Sequence, residues 1–256
     1  MSEVDMLLFQ KGLNYSQDGR GNRMVYHLVG CNMRCPWCAN PEGIKAGGTI
    51  LTKGGVPRRS WREYSVDQLI SEAVSLKDMF FDGGGVTLTG GEPTLWTDEA
   101  LSLLDGLRRE GIHTTIETNA TSPIFDKFVS STDCVIMDFK TPNPHKHLAY
   151  TGVDVEIVKK NISYALDNHP DVLIRTPLIN GVNTSDEDMR EFVKFYTSHD
   201  TTHARFEFLK YHDYGAVKWA ECSLPYTMPP TSFVSDEVVE KFAKYYIDHS
   251  LVVIRT

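Results

Sequence analysis

Three of the five cysteines in this 256-residue chain fall within eight residues, in the run Gly30-Cys31-Asn32-Met33-Arg34-Cys35-Pro36-Trp37-Cys38. Thiolates this close along one loop can wrap three corners of a cubane iron–sulfur cluster. Such clusters normally take four cysteines, so Cys31, Cys35 and Cys38 with no obvious fourth leave one iron open to another ligand. An open coordination site on a metal points to chemistry. The competing reading is zinc held by the three cysteines and His27, but structural zinc sites favour paired short spacings and no second pair is present. Packing alone accounts poorly for the three thiols, because the glycine, proline and asparagine around them suit no core strand. Cys134 sits mid-strand and reads as packed, and Cys222 falls in a loop without an assigned role.

A second cluster of chemistry follows a short apolar run: Gly90-Gly91-Glu92-Pro93, preceded by Gly83-Gly84-Gly85. Glycines at a strand end let backbone approach a ligand closely, and Glu92 is placed to accept hydrogen bonds from an ammonium group. A dinucleotide fingerprint would join a strand to a helix, whereas these glycines flank a strand. A plain tight turn is the bland alternative. Further along, Glu117-Thr118-Asn119, Asp138-Phe139-Lys140, Arg175 and His212 each fall at or just after the end of an apolar or β-branched run. Polar groups recurring at one end of successive strands are hard to explain by packing.

The elements that must position these groups follow from periodicity. Strands are expected at Met24 to Val29, Val86 to Thr89, Ile112 to Glu117, Cys134 to Phe139, Val172 to Thr176 and Phe206 to Leu209. Ser65 with Gln68 makes a capping box for a helix to about Lys77. Thr97 caps a helix that Gly111 closes, and Ser122 before Pro123 reads as a cap with proline at the first helical position. Amphipathic helices follow at Asp154 to Asn168, Ser185 to His199 and Ser235 to His249. Parallel neighbours need crossovers, usually helical, so strands alternating with helices predict an α/β fold with a parallel sheet. Right-handed crossovers curl it, and six βα units rather than eight predict an incomplete (βα)6 TIM-like barrel. Both carboxylate motifs would then project at the C-terminal rim. Pro41 to Arg62 and Leu224 to Thr231 read as loops over the mouth. No repeat, low-complexity tract or linker divides the chain, so residues 1–256 form one expected domain.

Composition narrows the partners. With 26 basic against 34 acidic residues the formal charge is −8, which works against a phosphate-tracking surface, so no nucleic-acid partner is expected. The acidic start and the absence of a run of about 20 apolar residues predict neither export nor a membrane span, hence a cytoplasmic protein. An odd number of cysteines in a reducing compartment again favours metal over disulfides.

The CxxxCxxC spacing with an aromatic before the third cysteine resembles the radical S-adenosylmethionine superfamily. Through nearly the whole chain the likeness extends to its activating enzymes of glycyl radical enzymes, of the pyruvate formate-lyase type. The carrying motifs are Asp18 to Arg23, Gly84 to Pro93, Gly111 to Thr114, Glu117 to Asn119, Asp138 to Lys140, Ile174-Arg175, and Tyr211 to Gly215 before Lys218-Trp219. Glu117 stands where the family has aspartate, Arg20 where it has proline, and Trp96 where it has a polar residue. Residues 39 to 62 hold no cysteine, so the ferredoxin-like insert of many activases is missing and one 4Fe-4S cluster is expected.

This resemblance implies that the free iron chelates S-adenosylmethionine, whose reductive cleavage yields a 5′-deoxyadenosyl radical that removes a hydrogen from a partner's backbone glycine. It implies cofactor contacts from Trp37, Ala39, Gly90, Gly91, Glu92, Asp138, Phe139, Lys140, Arg175 and His212. A monovalent cation would sit on Glu117, Thr118 and Asp138, a flavodoxin- or ferredoxin-type protein would supply the electron, and the reaction would be anaerobic. The alternative within the superfamily is direct action on a small molecule or peptide, with a thiol such as Cys222 returning a hydrogen atom.

Overall fold

The computed structural model describes residues 6–255; the acidic start at 1–5 and residue 256 lie outside the described residues. In chain order the elements begin with β1 (Met6–Tyr15) and β2 (Asn22–Leu28), then the cysteine loop, β3 (Ile50–Lys53), β4 (Val56–Arg59), β5 (Arg62–Tyr64) and α1 (Val66–Ser75). β6 (Gly85–Gly90), α2 (Thr97–Arg109), β7 (His113–Thr118), α3 (Phe125–Ser131) and β8 (Cys134–Asp138) follow. The chain continues through α4 (Pro144–Thr151), α5 (Val155–Asn168), β9 (Val172–Leu178), α6 (Asp186–Tyr196) and β10 (Ala204–Lys210). It ends with α7 (Ala216–Glu221), α8 (Asp236–Asp248) and the short β11 (Val253–Ile254).

One sheet runs β11-β10-β9-β8-β7-β6-β2-β1-β5. From β2 to β11 every neighbouring pair is parallel, while β1 and β5 add antiparallel at one edge. All six expected strands are present and parallel. The sheet does not close, since β5 and β11 form its two edges. It is the incomplete barrel that six βα units predict.

Strand alternation sorts the side chains. Leu28, Leu88, Ile116, Met137, Ile174 and Phe206 are almost fully buried in one large core. Leu103, Leu104 and Leu107 of α2 and Val158, Ile162 and Ala165 of α5 belong to the same core. The intervening positions face inward, where Cys134, Ile136 and Leu173 form a small separate apolar layer with Ile254. Cys134 is therefore a packed strand thiol, 4% exposed.

Helix starts follow local chemistry. Ser65 and Gln68 close the expected capping box, Ser185 and Asp188 close another, and the Asp154 carboxylate caps α5. Two starts differ from the sequence reading. Thr97 is the first helical residue and donates its hydroxyl to the Thr94 carbonyl, so Trp96 takes the cap position. α3 begins at Phe125, because the Ser122 hydroxyl is used up in a turn, accepting from the Ile124 amide at 3.4 Å. Pro41 to Arg62 is likewise not irregular. Gly54 and Gly55, with φ of +59° and +80°, supply the two positive dihedrals of a tight hairpin turn, and β3 and β4 pair on either side. The second expected loop, Leu224 to Thr231, reaches the rim through Tyr226, whose hydroxyl lies 2.8 Å from that of Tyr211.

Candidate active site

The cysteine loop leaves β2 through Gly30, whose φ of +100° suits glycine alone. Its backbone is pinned from several sides. Gly30 and Cys31 amides donate to the Gly43 and Ile44 carbonyls at 2.7 and 2.9 Å, and the Arg34 amide donates to Thr151 at 2.9 Å. From the far end of the chain, the Trp219 indole donates to the Cys38 carbonyl at 2.9 Å. Lys218 reaches Asn40 Oδ1 at 2.8 Å and Glu42 Oε1 at 2.7 Å. Gly215 packs so closely that a Cβ there would stand 2.5 Å from the Cys38 carbonyl oxygen. The segment after β10 thus clamps the exit of the cysteine loop.

All three thiols line one cavity of about 250 Å³, together with Trp37, Ala39, Gly90, Gly91, Glu117, Thr118, Asp138, Lys140 and His212. These residues come from the C-terminal ends of β2, β6, β7, β8 and β10 or the loops just beyond, the side on which barrels gather their chemistry. The thiols accept N–H donors as cluster ligands do: Met33 N to Cys31 Sγ and Asn40 N to Cys38 Sγ, each at 3.4 Å. Asn119 Nδ2 lies 3.8 Å from Cys31 Sγ. Burial pushes the Cys35 thiol up to about 12 and Cys38 to about 11, so a strong cation is needed to hold them as thiolates. Among the described residues no three His, Cys, Asp or Glu side chains converge tightly enough for a single metal ion. Thiols facing one cavity from separate points suit a multi-iron cubane better than zinc. His27, the would-be zinc ligand, does not line the cavity; its ring lies 5.4 Å from Phe9.

The cavity also offers groups for a polar organic ligand. His212 Nδ1 is buried without a hydrogen-bond partner, its ring stacked on Tyr214 at 4.3 Å. Burial opposes the charge on Lys140, but Asp138 at 3.0 Å and the Cys35 and Cys31 thiols more than offset this and raise its pKa. The ring of Trp37 rests 5.6 Å from Tyr150. A buried donor or acceptor left open, beside a fixed ammonium and carboxylate, fits a zwitterionic ligand.

Three residues expected at the cofactor are placed otherwise. Glu92 is fully buried, its carboxylate accepting from Thr94 N at 3.1 Å, Thr94 Oγ1 at 2.6 Å, Thr118 Oγ1 at 2.7 Å and Asn119 N at 2.7 Å. It ties the ends of β6 and β7 together. Phe139 points outward, packed against Phe192, Phe195 and Tyr196. Arg175, 4% exposed, bonds Glu117 at 2.7 Å and Glu207 at 2.8 Å inside the barrel. Cys222, at the end of α7, is buried and does not line the cavity.

The sequence reading gives Thr89 no role at the site, and it names Asn119 and Trp96 without the contacts they make. Thr89 donates to Glu117 at 2.8 Å, and Asn119 Nδ2 donates to Asn32 Oδ1 of the cysteine loop at 3.0 Å. Trp96 donates its indole N–H to the Val29 carbonyl at 2.6 Å, bracing the strand that feeds the cysteines. Thr89 and Asn119 share one signal, a place beside a strand's C-terminal end, whereas Trp96 stands at the start of α2. Arg20 lies elsewhere, reaching Asp171 at 3.4 Å.

Comparison with known proteins agrees with this chemistry. The family model described as the radical SAM superfamily matches residues 25–195. The pyruvate formate-lyase-activating enzyme of Streptococcus mutans is 32% identical over 228 residues, 84% of this chain and 82% of that protein. The (2S)-3-sulfopropanediol sulfolyase activating enzyme of Bilophila wadsworthia is 31% identical over 258 residues, 79% of this chain and 83% of that protein. Among solved structures, a domain of the pyruvate-formate lyase-activating enzyme from Bacteroides vulgatus superposes with a TM-score of 0.56 at 26% identity, covering 67% of this chain and 98% of that one. Streptococcus suis SuiB bound to its precursor peptide shares the fold, with a TM-score of 0.61 at 18% identity, over 90% of this chain and 48% of that one. With three thiols around one strand-end cavity and these relatives, the chain belongs to the radical SAM superfamily, as an enzyme of the activating type that uses a 4Fe-4S cluster and S-adenosylmethionine.

Proposed function

We propose that this enzyme activates a glycyl radical enzyme of the pyruvate formate-lyase type by removing one hydrogen atom from a backbone glycine of that partner. The supporting observation is the cavity itself, in which Cys31, Cys35 and Cys38 face Asp138, Lys140 and His212 across the C-terminal ends of the strands. When bound, the cluster and S-adenosylmethionine supply a 5′-deoxyadenosyl radical. The protein's own part is to hold and shield. Cys31, Cys35 and Cys38 hold three irons, and the clamp of Gly215, Lys218 and Trp219 fixes their loop. Gly90 and Gly91 bring bare backbone to the ligand, with Glu92 setting the turn that presents them. Lys140, Asp138 and the open Nδ1 of His212 meet the polar groups of S-adenosylmethionine, and Trp37 and Ala39 cover its flank.

The partner's glycine would arrive on a loop at the strand ends, where the open sheet leaves room for polypeptide. A flavodoxin- or ferredoxin-type protein would supply the electron. The two curated relatives of nearly equal identity carry names with different partners, so identity alone does not choose between partners of that class.

The test is anoxic incubation of the reduced, reconstituted enzyme with S-adenosylmethionine and candidate glycyl radical enzymes, followed by electron paramagnetic resonance. A glycyl doublet on one candidate is expected. Replacing Cys222 by alanine should leave that signal intact; loss of product with continued formation of 5′-deoxyadenosine would favour direct action on a small substrate instead.

A further inference from the structure

The Glu117, Thr118 and Asp138 set, which the family resemblance pairs with a monovalent cation, does not fit one. A cation of this kind needs several oxygens with free lone pairs converging on one point. Here three of the four carboxylate oxygens already accept a strong donor and the Thr118 hydroxyl is engaged twice, so among the described residues Asp138 Oδ1 is the one carboxylate oxygen of the set facing no donor, too few for such a cation. Glu117 Oε1 accepts from Arg175 Nη1 at 2.7 Å and Oε2 from Thr89 Oγ1 at 2.8 Å. Asp138 Oδ2 accepts from Lys140 Nζ at 3.0 Å. The Thr118 hydroxyl is aimed away, donating to the buried Glu92 at 2.7 Å and accepting from the Ala120 amide at 3.0 Å.

Arg175 is itself immobilised. Its Nε donates to Glu207 at 2.8 Å, its Nη2 to the Gln17 carbonyl, and only 4% of the residue is exposed. An alkali ion seated on Glu117 would therefore sit beside a fixed guanidinium, in surroundings too dry to screen the repulsion. Within the ion-paired set itself, Arg175 and Lys140 already stand as fixed cations against Glu117, Glu207 and Asp138. The extra methylene that distinguishes Glu117 from aspartate carries its carboxylate to Arg175.

We infer that the Glu117–Arg175 ion pair takes the place of the monovalent cation, so that S-adenosylmethionine binds this enzyme without help from an alkali ion. Arg175 is then a positioning residue that acts through Glu117. The inference rests on the strand-end cavity being the seat of S-adenosylmethionine.

The test is calorimetric titration of the reconstituted holoenzyme with S-adenosylmethionine in chloride salts of potassium, sodium or tetramethylammonium at equal ionic strength. Dissociation constants agreeing within about twofold are expected. Weakening by fivefold or more in tetramethylammonium, reversed saturably by potassium or sodium, overturns the inference while leaving the cavity assignment intact. No binding in any salt overturns both. The variants Glu117→Asp and Arg175→Gln should each acquire the alkali dependence that the parent lacks, which a purely structural role would not produce. Glu117→Asp is the conservative change, and it alone carries this arm if Arg175→Gln does not fold; an Asp variant as indifferent to the salt as the parent counts against the pair.

Discussion

Glu92 separates two accounts of the GGEP motif. Sequence alone aims its carboxylate at an ammonium group of the cofactor, whereas the structure buries it completely under four donors from Thr94, Thr118 and Asn119. Glu92→Ala strips all four. The two hydroxyls can rotate to other acceptors, but the Thr94 and Asn119 amides stay buried, at about 1–3 kcal/mol for each unsatisfied donor. Adding the void left by the side chain, the loss should be about 4 kcal/mol, a large share of the roughly 5–15 kcal/mol of a typical domain. Glu92→Gln keeps the volume but sets an NH2 against at least one donor, which should cost about 2 kcal/mol. Urea unfolding of the apoprotein under anoxia, followed by circular dichroism, gives both numbers. The reasoning fails if both variants unfold within about 0.5 kcal/mol of the parent while S-adenosylmethionine affinity drops tenfold, since that pattern belongs to a carboxylate facing the ligand.

Other consequences are as direct. Gly91→Ala puts a Cβ 2.0 Å from the Gly30 carbonyl oxygen, which cannot retreat because it accepts from the Glu92 amide at 2.6 Å; about 3 kcal/mol of stability and most of the iron bound on reconstitution should be lost, read by urea unfolding and iron assay. Trp219→Phe removes the donor to the Cys38 carbonyl and should cost about 1 kcal/mol in urea unfolding while altering the cluster's electron paramagnetic resonance line shape. Alanine at Cys31, Cys35 or Cys38 should leave iron and sulfide far below stoichiometric, whereas alanine at Cys134 should not, measured by metal analysis after reconstitution. His27 adds a pH dependence: burial pushes its pKa down to about 4, so in the fold it stays neutral while the unfolded chain takes up a proton below about 6.5. Its contribution is fully present above pH 6.5 and is lost as pH falls toward 4. The ring is partly exposed, so about 2 kcal/mol is at stake, and His27→Gln should flatten that part of the urea midpoint measured from pH 7 to 5.

What could be read from the residues was whatever depends on local spacing. The CxxxCxxC run, the capping box of Ser65 with Gln68, and the alternation of β-branched runs with amphipathic stretches each express a rule satisfied within about ten residues, and together they imply a parallel sheet with polar strand ends. The Gly54-Gly55 hairpin is equally local, but two glycines among polar residues read as a loop until β3 and β4 are seen to pair.

Which of two buried faces each strand side chain takes was not legible, because strands covered on both sides lose the polar–apolar alternation that marks a face. Hence Glu92 and Arg175, polar and beside the motifs, read as ligand contacts although the fold spends them on Thr118 and Asn119 and on Glu117 and Glu207. Pairings of that kind, 58 residues apart in sequence for Arg175 and Glu117 and 181 for Trp219 and Cys38, exist only once the sheet has curled and its last strands have returned to the first. Sequence settled which chemistry the chain carries; tertiary structure decided which polar groups are free to touch a ligand, because that depends on distant partners having already satisfied the others.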